Sequence, residues 1–180
     1  MGGAGQLPFE GEAPPDDGAP GQDPTEGDAP ATAAGDQPSG GPRSFQASAG
    51  IQGRQFAEQC DTLLAHQGFE LHGRRVLSEV GVEIDQEARS PDGALVWFEY
   101  KGSVQGNRPG LRRTDTLKKA IANGALLRSL DEPAPYVVLT SHLPEAGAGA
   151  AMLAAALDLG YLADVICLYD PRATARLDRW

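Results

Sequence analysis

The chain has 180 residues, of which 25 are acidic and 15 basic, and its formal charge is −10. That length suits one domain with an added tail. The sequence has no run of about 18 apolar residues and no basic region followed by an apolar core, so we expect neither a membrane span nor a secretory signal. Cys60 and Cys167 are far apart in sequence, which excludes a cysteine-built zinc site and a disulfide scaffold and favours a cytoplasmic location.

Residues 1–42 differ sharply from the rest. They hold eight acids and no Lys or Arg, together with 8 of the 14 prolines and 10 of the 23 glycines. We therefore predict a disordered acidic tail over residues 1–43 and a folded domain over residues 44–180. The tail is either a solubilising leader or a DNA-mimicking arm that competes for a basic site. The body is close to neutral, so the acidic pI does not exclude a polyanionic partner for it.

The first half of the body predicts a helix followed by three strands. Helical spacing of apolar residues covers residues 52–67, and Gly68 ends that helix as a C-cap. Strands are predicted over residues 69–77, 82–88 and 94–101. The last two are joined by a Ser-Pro-Asp-Gly turn at residues 90–93, which favours a hairpin.

The second half alternates helices with buried strands. A Gly-rich loop covers residues 102–110, and Thr114 or Asp115 is predicted to cap a helix that ends near residue 130. An apolar strand at 136–140, an Ala-rich helix at 146–159 and a strand at 163–169 follow. The order αβββαβαβ predicts an α/β domain whose mixed sheet is flanked by helices on both faces.

The hairpin carries the residues that suggest chemistry. Glu99 and Lys101 are two apart, so they share one face of a strand. If the hairpin loop has three residues, paired numbers sum to 184, which places Asp85 opposite Glu99 and Glu83 opposite Lys101. Facing residues lie about 5 Å apart. Two carboxylates at that distance repel unless a divalent cation lies between them, and Mg²⁺ or Mn²⁺ suits such oxygen ligands.

The pattern Asp85…Glu99-Tyr100-Lys101 resembles the motif of the PD-(D/E)xK nuclease superfamily, and the resemblance extends over about residues 53–170. It is closest to small resolvase-like and Mrr-like members, whose first helix ends in a Leu-Leu…Gly-Phe pattern, here at positions 63–69. The resemblance implies a restriction-endonuclease-like fold and a Mg²⁺-dependent (or Mn²⁺-dependent) endonuclease that hydrolyses DNA. Asp85 and Glu99 would hold the metal, helped by the carbonyl of Tyr100, and Lys101 would position or activate the attacking water.

Two acids remain alternatives, and one position departs from the family pattern. Ile84 stands where the family usually has proline. Many members carry an acid on the first helix. Glu58 is the candidate here, but it lies nearly opposite the apolar stripe, so we expect it to be solvated. Glu83 would replace Asp85 if the register moved by one residue.

The segment that follows the motif is basic. Residues 101–128 hold seven bases and one acid. Arginines, loop amides and a helix N-terminus favour a phosphate backbone. The predicted nucleic-acid contacts are Arg108, Arg112, Arg113, Lys118 and Lys119.

Substrate choice stays open in the sequence, which has no zinc finger, helix-turn-helix or aromatic platform to read bases. Recognition would then come from a homodimer, a partner protein or nucleic-acid shape. RNA stays an alternative to DNA as the substrate. The alternative function is a catalytically inactive nuclease-fold module that binds nucleic acid or a partner protein. A third hypothesis is an unrelated α/β protein in which the triplet is fortuitous.

Overall fold

A computed structural model describes residues 42–102 and 109–180 of the chain. The strands are β1 (Glu70–Leu77), β2 (Val82–Arg89), β3 (Leu95–Lys101), β4 (Tyr136–Thr140) and β5 (Asp164–Cys167). The helices are α1 (Pro42–His66), α2 (Thr114–Leu127), α3 (Gly147–Asp158) and α4 (Pro171–Thr174), with 3₁₀ turns at Gly110–Arg112 and Ala175–Arg179. The predicted order αβββαβαβ is confirmed, and α4 with its following turn extends it.

The strands form one five-stranded mixed sheet in the order β1-β2-β3-β4-β5. The first three pair antiparallel, whereas β3, β4 and β5 run parallel. The antiparallel part follows from short connections, and the parallel part follows from the crossover helices α2 and α3. The carboxyl ends of β3, β4 and β5 therefore share one edge, which is where open α/β sheets usually bind ligands.

Each face of the sheet has its own apolar core. On one face, Phe56, Cys60 and Leu64 of α1 pack in a cluster with Val96 and Phe98 of β3. The opposite face carries a cluster that includes Trp97 of β3 and the inner side of α2, with Leu117, Ala120 and Leu127. The strict alternation of Val96, Trp97 and Phe98 thus serves two layers of helices, as an α/β architecture requires.

The starts of α1 and α2 differ from the prediction, and the end of α1 agrees with it. Helix α1 begins at Pro42, ten residues before the predicted start, so only Pro42 and Arg43 of the predicted tail fall within the described residues. The predicted Thr114 or Asp115 cap of α2 is wrong. Arg113 is the N-cap and makes no side-chain cap hydrogen bond, because the helix continues directly from the 3₁₀ turn. The Gly68 C-cap is confirmed by its φ of 86° and by the bond from the Phe69 N–H to the Leu64 carbonyl.

The sequence led us to expect no membrane span and no disulfide scaffold. None of the helices in the described residues is both long and apolar enough to cross a bilayer. Cys60 and Cys167 are both free thiols.

Residues 42–102 and 109–180 lie within one compact unit that spans Ser39–Trp180.

Candidate functional site

The β2–β3 hairpin has the predicted three-residue loop. The Ser90 N–H donates to the Ala94 carbonyl at 2.8 Å, and Gly93 takes a left-handed φ of 86° that completes the turn. The ladder pairs Glu87 with Trp97 and Gln86 with Phe98, which is the predicted register. It ends at Gln86, one residue short of the predicted pair between Asp85 and Glu99.

A bulge in β2 explains where the ladder stops. Against β1, Glu87 pairs with Gly73 and Ile84 with Arg75, so three steps on β2 oppose two on β1. Such a bulge bends a strand and turns side chains away from strict alternation. Instead of joining the ladder, Asp85 accepts the Tyr100 N–H on Oδ2 at 2.8 Å. The acid is therefore fastened to the backbone between Glu99 and Lys101.

Glu99 is a buried carboxylate, and one of its oxygens has no hydrogen bond of normal geometry. The residue is 3% exposed. Lys101 Nζ donates to Oε1, whereas Oε2 is buried and has no hydrogen-bond partner among the described residues. Burial raises the pKa of Glu99; the Lys101 ammonium opposes that rise, and the Asp85 charge adds to it. The two carboxylates thus lie close enough to affect each other, as the sequence predicted.

The phenol of Tyr136 borders Glu99 from β4. Its hydroxyl is also buried without a hydrogen bond of normal geometry. Burial and the charge of Glu99 raise the pKa of Tyr136, the side chain of Asn123 on α2 lowers it, and the contact of the hydroxyl with the Glu99 carboxylate raises it further. Helix α2 therefore contributes Asn123 to the surroundings of Glu99.

Asp61 of α1 contacts Tyr100, the residue between Glu99 and Lys101. Asp61 Oδ1 accepts the Tyr100 hydroxyl at 2.6 Å. Burial, followed by this bond to Asp61, raises the pKa of Tyr100. Glu58 is exposed, as expected. The signal for Asp61 was its position three residues before Leu64, on the flank of the apolar stripe that faces the sheet.

Glu83 is not part of this cluster. It is exposed on β2 and forms an ion pair with Arg74 of β1 at 3.2 Å. The ladder places no residue of β3 opposite it. The predicted pair of Glu83 with Lys101 is therefore absent from the described β2–β3 ladder, which ends before it.

Two glycines fix the chain on either side of residues 103–108. A Cβ on Gly102 would lie 2.0 Å from ring carbons of Phe56, so only glycine lets the backbone leave β3 across that ring. Gly110 has a φ of 60°, and a Cβ there would lie 2.6 Å from Thr140 Oγ1. Both points are at the edge of the sheet where Lys101 ends β3.

The basic residues that the sequence predicts as nucleic-acid contacts lie in different surroundings. Arg108 lies outside the described residues. Arg112 pairs with Glu145 and Arg113 with Asp115 at 2.9 Å, so both exposed arginines already have acidic partners. Lys118 lines a groove between α2 and α3.

Of the two lysines of α2, Lys119 is the one that shares a helix face with Asn123. It is exposed and precedes Asn123 by four residues, and residues at that spacing share a helix face. Asn123 in turn influences Tyr136 beside Glu99. Of the two helix lysines, Lys119 therefore lies on the side that faces the candidate site.

The residues present fit a hard divalent cation. Within residues 42–102 and 109–180, no three His, Cys, Asp or Glu side chains form a metal-binding group. Mg²⁺ is usually bound through one or two carboxylates and keeps several waters, so Asp85 and Glu99 suffice. Oε2 of Glu99 has no hydrogen bond of normal geometry, which supports this fit, because a buried carboxylate oxygen that is poorly hydrogen-bonded is stabilised by a cation.

Comparison of the chain with protein-family models, with curated proteins and with solved structures found no match.

Proposed function

We propose that the chain is a Mg²⁺-dependent nuclease similar to PD-(D/E)xK enzymes, with a restriction-endonuclease-like core. The observation that carries the proposal is a buried Glu99 carboxylate, one oxygen of which has no hydrogen bond of normal geometry, next to Asp85 and Lys101 at the carboxyl end of β3. A surface Glu-x-Lys pattern would be solvated on both side chains. Here Glu99 is almost fully buried and the Lys101 side chain is 15% exposed.

Asp85 and Glu99 would hold the cation, and the Tyr100 carbonyl would assist. When bound, Mg²⁺ polarises the scissile phosphate and neutralises the charge that develops on it. Tyr100 is held at two points, because Asp85 accepts its N–H and Asp61 accepts its hydroxyl. That double attachment fixes the backbone between Glu99 and Lys101, so both side chains keep their positions.

Lys101 would orient the attacking water and stabilise negative charge at the phosphate. Its bond to Glu99 keeps the ammonium beside the carboxylates rather than in bulk solvent. Lys119 and the arginines near α2 would contact the phosphate backbone outside the reacting bond. The substrate would be DNA, with RNA as a second polynucleotide to be tested in the same assay.

The test is cleavage of plasmid, single-stranded and branched DNA with Mg²⁺ or Mn²⁺. Asp85→Ala and Lys101→Ala should each abolish cutting while thermal unfolding stays cooperative. Glu83→Ala is the matched control: it removes an exposed acid two residues away on the same strand and should cut like the wild type. Equal cutting by all variants would remove the catalytic assignment. DNA binding without cutting in either metal would favour the inactive module.

The role of α1 is tested separately. Asp61→Asn should reduce the rate, because the Tyr100 hydroxyl loses its charged acceptor and the backbone at residues 99–101 loosens. Glu58→Ala serves as the control, since that acid is exposed on the same helix. A larger loss in Glu58→Ala than in Asp61→Asn would overturn this assignment.

A further inference from the structure

The hydroxyl of Thr140, the last residue of β4, is fully buried and joins three segments of the chain. Its Oγ1 donates to the Lys101 carbonyl at 2.8 Å, and the His142 carbonyl lies at 3.1 Å from the same oxygen. The N–H groups of Leu111 and His142 donate to it at 3.3 and 3.4 Å. A hydroxyl has one proton and two acceptor sites, so all of its hydrogen-bonding capacity is used here. The end of β3, the 3₁₀ turn before α2 and the exit from β4 therefore meet at one side chain.

The bond to Lys101 matters because β3 ends at that residue. Lys101 pairs with Thr140 in the parallel ladder, and the Ser141 N–H donates to the Lys101 carbonyl at 3.4 Å. That backbone bond is longer than the usual length of about 2.9–3.0 Å, whereas the hydroxyl bond is not. Of the two donors to this carbonyl, the side chain of Thr140 is therefore the closer one.

Gly110 lets the chain that leads into α2 pack directly against this hydroxyl. Its φ is 60°, and a Cβ there would lie 2.6 Å from Thr140 Oγ1 and 2.8 Å from the His142 nitrogen. A glycine permits both the left-handed backbone and the close approach. Leu111, the next residue, is fully buried. The hydroxyl is thus enclosed on the side opposite Lys101, so its position is fixed by packing.

We propose that Thr140 is a positioning residue, which holds the end of β3 so that the Lys101 ammonium stays beside Glu99. Lys101 Nζ donates to Glu99, and this contact needs the backbone at Lys101 to keep its direction. Thr140 acts through the Lys101 carbonyl and needs no contact with a substrate. The inference rests on the proposed nuclease function, because that function gives the ammonium its task of orienting the attacking water.

The position of Lys101 can be measured without metal or substrate. The chain has three lysines, Lys101, Lys118 and Lys119, so lysine labelled with ¹³C at Cε gives three signals in a proton–carbon NMR spectrum. The Lys101 signal, assigned by its loss in Lys101→Arg, should lie apart from those of the two exposed helix lysines. Thr140→Val removes the hydroxyl and should move this signal toward the other two. Thr140→Ser keeps the hydroxyl and should leave the signal in place.

Cleavage assays measure the consequence for the reaction. Thr140→Val should lower kcat about 10-fold to 100-fold with KM within about twofold of the wild type, because a displacement of about 1 Å at a reacting group has an effect of that order. Thr140→Ser should restore most of kcat.

Ser90→Ala is the matched control. It removes another buried hydroxyl, which accepts the Ala94 N–H at 3.1 Å at the opposite end of β3. Both Ser90→Ala and Thr140→Val should melt at a lower temperature than the wild type, because each leaves a backbone N–H without an acceptor. Well below that temperature, Ser90→Ala should keep the wild-type kcat and the wild-type Lys101 signal.

The outcomes separate this inference from the proposed function. An unmoved Lys101 signal in Thr140→Val, an equal movement in Thr140→Ser, or a moved signal with wild-type kcat would overturn the positioning role. A wild type that cuts no DNA, with the signals moving as expected, would remove the nuclease function and leave the placement of Lys101 by Thr140 intact. If Thr140→Val does not fold, the wild type decides: its Thr140 hydroxyl proton should exchange slowly enough to be observed by NMR, and a rapidly exchanging proton would refute the proposal.

Discussion

Two glutamates of the central sheet are buried, and they differ in how their oxygens are satisfied. Glu87 of β2 accepts the Trp97 indole N–H on Oε2 at 3.0 Å and an Arg75 N–H on Oε1 at 3.1 Å. Glu99 of β3 accepts Lys101 on one oxygen only. A buried carboxylate with donors on both oxygens is sufficiently explained by the fold. Glu99, with one poorly hydrogen-bonded oxygen, a second acid and a lysine beside it, is the glutamate that would bind the cation in the proposed function.

The largest expected effect separates the two glutamates by activity. Glu99→Gln should lower metal-dependent cleavage at least about 100-fold, because the residue that would bind the metal in the proposed function, and that pairs with Lys101, loses its charge. Glu87→Gln should stay within about threefold of the wild type when assayed well below its melting temperature. Initial rates on one DNA substrate measure both. A larger loss of cleavage in Glu87→Gln than in Glu99→Gln would contradict the assignment of the site to Glu99.

Stability should show the opposite order. In Glu87→Gln the new amide NH₂ must face either Trp97 or Arg75, so a donor meets a donor, which should cost about 1–3 kcal/mol. In Glu99→Gln the amide oxygen can accept Lys101 while the NH₂ takes the place of the unpartnered Oε2. That variant should unfold within about 0.5 kcal/mol of the wild type, or later. Urea unfolding in EDTA provides the comparison, and equal losses would contradict it.

The pH dependence of stability follows from the raised pKa of Glu99. The folded protein binds this proton more tightly than the unfolded chain, whose glutamates titrate near about 4.3. The stabilising contribution is therefore complete below that pH and is lost as pH rises through the folded-state pKa. Without metal, the wild type should lose stability relative to Glu99→Gln as pH increases from about 4. A difference between the two that does not vary with pH would refute this.

The smallest expected effect is on DNA binding outside the candidate site. Lys119→Ala should weaken DNA binding a few-fold and reduce the salt slope by about one unit, as expected when one phosphate contact is lost. Arg74→Ala, which removes an exposed cation of β1 that is paired with Glu83, should change neither quantity. Binding titrations at several salt concentrations measure both variants.

The sequence alone determined the order of elements, the three-residue hairpin loop and the association of Asp85, Glu99 and Lys101. Those features are local: apolar spacing fixes each element, and the Pro-Asp-Gly loop fixes the register next to it. The observed β2–β3 register agrees with the prediction from Arg89 to Gln86, where the ladder ends. The bulge in β2 arises from pairing with β1, and no local sequence pattern reveals it.

Only the tertiary structure decided which further residues belong to the candidate site. Asp61 rather than Glu58 contacts Tyr100, Lys119 rather than Lys118 shares a helix face with Asn123, and Tyr136 borders Glu99 from a strand more than thirty residues downstream. Each choice depends on how a helix rotates against the sheet or on which strands are neighbours. The physical reason is that burial and charge coupling act across space, whereas the periodicity of a sequence reports one element at a time.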